Sequence, residues 1–193
     1  MAQLKFIFTG TPSAGKTTAI TAVSDFPPVK TDMFSTDELS DVKEETTVAM
    51  DFGELTLSNG EKIDLYGTPG QERFRHMWEI LTNGGLGLII LIDNSRPNPL
   101  DDLKIYLDNF RQFILSTGAV IGITRSDIAN DTTVEDYQKV LEREGFILPI
   151  LEADARSKSD VLMLLDMLMA TVEMNNMDNQ DIYNEQHDEI FSF

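Results

Sequence analysis

Cysteine is absent from all 193 residues. Its absence excludes disulfides, thiolate metal sites and cysteine-linked lipid anchors. Residue 2 is Ala, so the glycine that a myristoyl group needs is missing too. No apolar run approaches the ~18 residues of a membrane span. The longest, Leu86 to Ile92, suits a buried strand. The first ten residues, MAQLKFIFTG, lack the basic flank and long apolar stretch of a secretory signal. The expected location is therefore cytoplasmic. Positive charge is scarce as well: 15 Lys and Arg stand against 33 Asp and Glu, a net charge of −18. That balance disfavours nucleic acid and anionic membrane as general surface partners. Part of the excess is local. Between Thr171 and Phe193 there are Glu173, Asp178, Asp181, Glu185, Asp188 and Glu189 but no Lys or Arg.

Apolar residues make up 41% of the chain, enough for one substantial core at this length. Strands are expected at Leu4–Thr9, Thr47–Leu57 (with a bend at Gly53), Lys62–Tyr66, Leu86–Ile92, Ala119–Ile123 and Phe146–Leu151. Helices are expected at Lys16–Ser24, stopped by the Phe-Pro-Pro at 26–28, then at Phe74–Leu81, Leu100–Leu115, Thr132–Glu142 and Lys158–Met174. Val29–Thr46 is polar and aperiodic and reads as a loop. Ser58-Asn59-Gly60-Glu61 reads as a hairpin turn. Strands alternating with helices predict an α/β, doubly wound, mostly parallel six-stranded sheet with one antiparallel edge strand. Residues 1–174 read as one domain and residues 175–193 as an acidic tail. A flexible tail is one reading of that segment, and a docking segment is the other.

Gly10-Thr-Pro-Ser-Ala-Gly15-Lys16-Thr17 fits G-x-x-x-x-G-K-[ST] without a gap, after a strand and before a helix. In such a loop the N–H groups of Ser13, Ala14, Gly15 and the helix start, including Thr17 and Thr18, face the phosphates of a nucleotide. Gly10 and Gly15 permit turns that a side chain would block. Lys16 sets a point charge against the β- and γ-phosphates, and Thr17 offers its hydroxyl to Mg²⁺. Pro12 removes one N–H from the loop. The motif specifies a nucleoside triphosphate and leaves the base open.

Four further loops follow in order. Thr47-Val-Ala-Met-Asp51-Phe52 is similar to the end of switch I in Rab-like proteins. Gly70-Gln71-Glu72-Arg73-Phe74 resembles the G-Q-E of switch II in Ras and Rab GTPases. Thr124-Arg125-Ser126-Asp127 looks like the T-K-x-D guanine-reading loop with Arg for Lys, and Asp154-Ala155-Arg156 matches the place of the S-A-K loop. Together these resemble the small Ras-like P-loop GTPases. TTVAMDFG and GTPGQERF are most similar to the bacterial MglA group, which works beside roadblock-type regulators.

The resemblance implies a role for each loop. Asp127 accepts from the N1–H and N2–H₂ edge of guanine, Arg125 lays its stem over the base, and the Ala155 N–H meets O6, with Thr124, Asp154 and Arg156 framing the site. Gln71 orients the attacking water, Gly70 binds the γ-phosphate through its N–H, and Lys16 and Thr47 complete the catalytic set. Thr46 competes with Thr47. Asp127 and Asp154 also suit helix or loop capping, and Gln71 a solvated helix start.

The main departure is Gly67, where Ras-like proteins carry the aspartate that supports Mg²⁺. Asp51 matches the acid that replaces it in MglA-type proteins, so the implied metal set is Thr17, Thr47 and Asp51. A strand-end or salt-bridge role for Asp51 is the alternative. No Arg lies in residues 29–47. Arg73 and Arg75 are the nearby candidates for transition-state charge, or they are plain surface residues. Slow intrinsic hydrolysis and an activating partner are expected. Met33, Phe34, Phe52, Phe74, Met77 and Trp78 form either a recognition patch for partners or ordinary core. By resemblance, the implied partners are GTP and GDP, a roadblock-type activator and effector proteins, in polarity, motility or pilus control. A nucleotide-binding scaffold with little hydrolysis, or a P-loop metabolite kinase, are the competing classes.

Overall fold

The computed structural model describes residues 4–35, 46–70, 75–128 and 131–190. Within these, side chains are described outside 30–49, 71–76, 79 and 177–190. The order is β1 (Leu4–Gly10), α1 (Lys16–Val23), β2 (Val29–Ser35), β3 (Thr46–Thr56), β4 (Lys62–Gly67), α2 (Arg75–Thr82), β5 (Gly87–Asp93), α3 (Pro99–Ser116), β6 (Ala119–Thr124), α4 (Val134–Glu144), β7 (Ile150–Glu152) and α5 (Lys158–Ile190).

The strands form one sheet in the order β2-β3-β4-β1-β5-β6-β7. All neighbours are parallel except β2 with β3 and β3 with β4. The doubly wound α/β architecture with a single antiparallel strand, β3, is as expected. The sheet has a seventh strand, however. Val29–Ser35, expected as a loop, pairs along β3 from Val29↔Phe52 to Ser35↔Thr46 and takes the edge position from β3. This stretch has no apolar alternation for a sequence reading to find. A polar stretch such as VKTDMFS therefore escapes a search for periodicity.

β5 and β6 are buried at every residue, as central strands of a sheet covered on both faces should be. Ile89, Leu91 and Val120 point into one core layer with α1 and α5, around Ile20, Val161, Leu164 and Leu168. Ile90, Ile92 and Ile121 point into the other with α3 and α4, around Leu103, Leu107, Tyr137 and Leu141. β3 runs through Gly53, which pairs with Leu65. A Cβ there would stand 2.7 Å from Ile20 Cγ2, so this glycine lets α1 approach the sheet.

β7 is shorter than expected. Phe146 instead buries itself beneath the Arg111 guanidinium, 4.7 Å from its ring centroid. The last helix, expected to end at Met174, runs to Ile190 through most of the acidic tail. Residues 175–190 hold no Pro or Gly, and extending a helix already nucleated costs little per residue. No described helix is long and apolar enough to cross a membrane.

Candidate functional site

The site lies at the C-terminal ends of the parallel strands, where such sheets bind ligands. β1 ends at Gly10, whose φ of 132° only glycine adopts with ease. A Cβ at Gly10 would fall 1.9 Å from the Leu91 carbonyl oxygen. The chain then turns through Ser13 (φ 65°) and Gly15 (φ 95°) into α1. Lys16 is buried, and its Nζ donates to the Gly10 and Thr11 carbonyls at 2.8 and 2.7 Å. Burial lowers its pKa to about 8, while the nearby Asp51 carboxylate works in the opposite direction. A phosphate arriving here would raise it again.

Asp51 and Gly67 are direct partners across the β3–β4 ladder. The Thr17 hydroxyl donates to Asp51 Oδ2. The side chain missing at Gly67 leaves the room that Asp51 occupies: a Cβ on residue 67 would stand 3.1 Å from Asp51 Cβ and 3.3 Å from its Oδ2. Thr17 and Asp51 thus present two hard oxygen donors side by side, a set that suits Mg²⁺. Thr47 lies four residues before Asp51 in β3, and its side chain is among those not described. Gln71, Arg73 and Phe74 lie outside the described residues, and the side chain of Arg75 is likewise undescribed.

The loops after β6 and β7 meet the P-loop around a cavity of about 590 Å³. Ser13, Ala14, Gly15, Thr18, Thr124, Arg125, Asp127, Asp154, Ala155 and Arg156 all line it. Small residues allow this junction. A Cβ on Gly15 would come within 2.6 Å of Ala155 Cβ, and the buried Thr124 hydroxyl donates to the Ala14 carbonyl at 3.1 Å. Asp127 sits exposed on the rim, in a short 3-10 turn, Ser126–Ile128. The Ser126 hydroxyl is buried beside it without a hydrogen-bond partner among the described residues. Asp154 grips Arg156 through its guanidinium (2.8 Å) and backbone N–H (2.9 Å), which holds its own pKa down to about 2.

Some contacts escaped sequence reasoning. Asp93, at the end of β5, is buried and accepts from Arg125 Nη1 at 2.9 Å and from Ser95. It fixes the residue expected to cover the base. Asp160 accepts from the Asp154 N–H at 3.0 Å and from the Ser157 hydroxyl. Ser157-Lys-Ser-Asp160 before an apolar run is a capping-box pattern and was legible as such. Of the six apolar switch residues, Met77 and Trp78 are core, with 2% of each exposed. Phe52 is half-buried and packs on Tyr66 with ring centroids 5.0 Å apart. Phe74 lies outside the described residues, as do the side chains of Met33 and Phe34.

Sequence relatives are Ras-related. The chain is 26% identical to "Ras-related protein RabC" of Dictyostelium discoideum over 133 residues, covering 66% of this chain and 68% of the relative. It is 27% identical to "Ras-related protein Rab-8B" of Bos taurus over 166 residues, covering 81% and 72%. It is 25% identical to "GTP-binding protein ypt2" of Schizosaccharomyces pombe over 154 residues, covering 75% and 74%.

Among solved structures, the G domain of the Thermotoga maritima FeoB iron transporter superposes with a TM-score of 0.62 at 17% identity, covering 87% of this chain and 98% of that one. A bacterial selenocysteine-specific elongation factor, EF-Sec, gives 0.60 at 18% identity, covering 90% of this chain and 29% of that one. At these identities the structures establish the fold alone. The family model described as "Conserved hypothetical ATP binding protein" matches residues 8–184, from the first strand through most of the last helix, and the chain belongs to that family.

Proposed function

We propose that the protein is a GTP-binding molecular switch that slowly hydrolyses GTP to GDP and phosphate. One observation carries the reading. The P-loop, the Asp127 loop and the Asp154-Ala155-Arg156 loop enclose a single cavity, with a carboxylate at the rim where a base would lie. A carboxylate rewards the two donors of guanine and is left unpaired by adenine, which has no matching donors. Arg125, tied to Asp93, supplies the stem over the base.

Thr17 and Asp51 would hold Mg²⁺, with phosphates and water completing its shell. The ion would neutralise developing phosphoryl charge. Thr47 would add its hydroxyl to the ion in the triphosphate state. Gln71 orients the attacking water in this reading. With no arginine in switch I, turnover stays slow until a partner supplies charge. A roadblock-type activator and effectors in cell polarity, motility or pilus control are the proposed partners, by resemblance to the MglA group, and the cytoplasm is the proposed location. Residues 1–174 would be the switch domain and 175–193 an acidic extension.

The family description names ATP, and this favours a second reading as an adenine-nucleotide binder. Equilibrium binding of GTP, GDP and ATP to wild type and to Asp127→Asn separates the two. Guanine selectivity that collapses in the variant is expected. Equal affinity of wild type for ATP and GTP overturns the guanine assignment. Phosphate release with and without a partner separates a hydrolysing switch from a scaffold.

A further inference from the structure

Two consecutive carbonyls of the loop after β4 are held from the opposite side of the sheet end. The indole Nε1 of Trp78, in α2, donates to the Pro69 carbonyl at 2.8 Å. The phenol of Tyr106, in α3, donates to the Gly70 carbonyl at 3.0 Å. Both rings are buried, with 2% and 3% exposed. Their rings meet at a tilt with centroids 5.2 Å apart, and Phe110 stacks on Trp78 at 5.2 Å while lying 6.5 Å from Tyr106. The donors are thus fixed by packing on three rings rather than free to follow the loop.

The peptide bond turns these anchors into an aiming device. Pro69 C=O and Gly70 N–H belong to one planar trans unit, so they point in opposite directions. With the oxygen held toward Trp78, the N–H is turned away from α2 and α3. Gly70 itself lies against the P-loop on that far side: a Cβ on it would stand 2.7 Å from Lys16 Nζ and 2.9 Å from the Gly10 oxygen and the Pro12 nitrogen. Only glycine fits between the anchors and the phosphate loop.

We propose that Trp78 and Tyr106 are positioning residues that aim the Gly70 N–H at the terminal phosphate of a bound nucleoside triphosphate, and so set how strongly the protein prefers triphosphate over diphosphate. The proposal rests on the nucleotide-switch reading above. A diphosphate ends short of Gly70 and gains nothing from the anchors. A triphosphate meets a donor already ordered. Without the anchors, it must order the loop itself and loses affinity accordingly.

The test measures Kd for GDP and for guanylyl imidodiphosphate, both with Mg²⁺, by displacement of a fluorescent guanine nucleotide. Wild type, Trp78→Phe and Tyr106→Phe are compared. Each variant keeps an aromatic ring and loses one donor. The expected result is a GDP affinity within about twofold of wild type and a triphosphate affinity weakened about three- to tenfold, the range of one lost hydrogen bond. A triphosphate-to-diphosphate ratio unchanged in both variants overturns the proposal. So does parallel weakening of both nucleotides, which a purely structural role would produce. If Trp78→Phe does not fold, Tyr106→Phe, which removes a single hydroxyl, decides alone. Wild type that binds neither guanine nucleotide refutes the switch reading, and this proposal with it. Wild type that binds both, with variants of unchanged ratio, refutes the proposal only.

Discussion

Returning an aspartate to position 67 is the sharpest probe of the site, because the ladder places that position directly against Asp51. The new Cβ would stand 3.1 Å from Asp51 Cβ and 3.1 Å from Ile20 Cδ1, tighter than the ~4.5–5.5 Å of ordinary cross-strand pairs. Two ionised carboxylates about 4 Å apart repel by about 4 kcal/mol at an effective dielectric of 20. Asp51 is half-buried, and contact with water reduces this to about 2 kcal/mol. For a chain of this size that corresponds to a fall in Tm of about 4–8 °C for Gly67→Asp without Mg²⁺. The exchange variant, Asp51→Gly with Gly67→Asp, removes the clash with Asp51 and the repulsion and leaves the close approach to Ile20. It should recover most of the lost Tm and restore a Mg²⁺-dependent rate of GDP release, with the carboxylate now on β4. Asp51→Ala should lose that dependence. Thermal melts with and without Mg²⁺, together with a Mg²⁺ titration of GDP release, read all three. Wild-type Mg²⁺ dependence in Asp51→Ala, or an unchanged Tm in Gly67→Asp, refutes the reasoning.

Gly70→Ala must displace Lys16 Nζ or the P-loop backbone, which approach within 2.7–2.9 Å of the added carbon. Triphosphate binding and turnover should fall at least tenfold in a phosphate-release assay. Asp93→Asn removes the buried charge that holds Arg125, so GTP affinity should fall by about two- to tenfold while Arg125→Lys retains part of it. Asp136 closes the capping box of α4, and its bonds to Thr133 and Lys139 hold its pKa down to about 2. Because the folded value lies below the unfolded one, its contribution is complete above pH 3.8 and disappears as the pH falls toward 2. The Tm gap between wild type and Asp136→Ala should therefore close between pH 4 and pH 2 in calorimetry.

Where burial dictates residue type, the fold was legible. β5 and β6 are covered on both faces and read as near-continuous apolar runs. The Asn-Gly turn announced a hairpin through local chemistry alone. β2 was not legible, because its sequence carries no burial pattern to detect. The length of α5 was hidden for the opposite reason. Acidity argued for a solvated tail, and a helix extended from a packed stem tolerates acidity well.

The site divides along the same line. Phosphate-binding residues are contiguous, since one loop must wrap one anion, and contiguous motifs are readable. The groups that tune them are not contiguous. Asp93 reaches Arg125, Asp51 reaches Thr17, and Trp78 and Tyr106 reach Pro69 and Gly70 only through strand register and helix packing. Gly67 is the instructive case. Read along the chain it is a missing ligand. Read across the ladder it is the space that lets the facing strand supply one, since a side chain at 67 and the carboxylate of Asp51 compete for the same volume. A carboxylate transferred between paired positions keeps its place near Thr17 while its sequence address moves from β4 to β3. A search that expects the acid at a set distance before Gly70 must then miss it, and a search of cross-strand neighbours finds it.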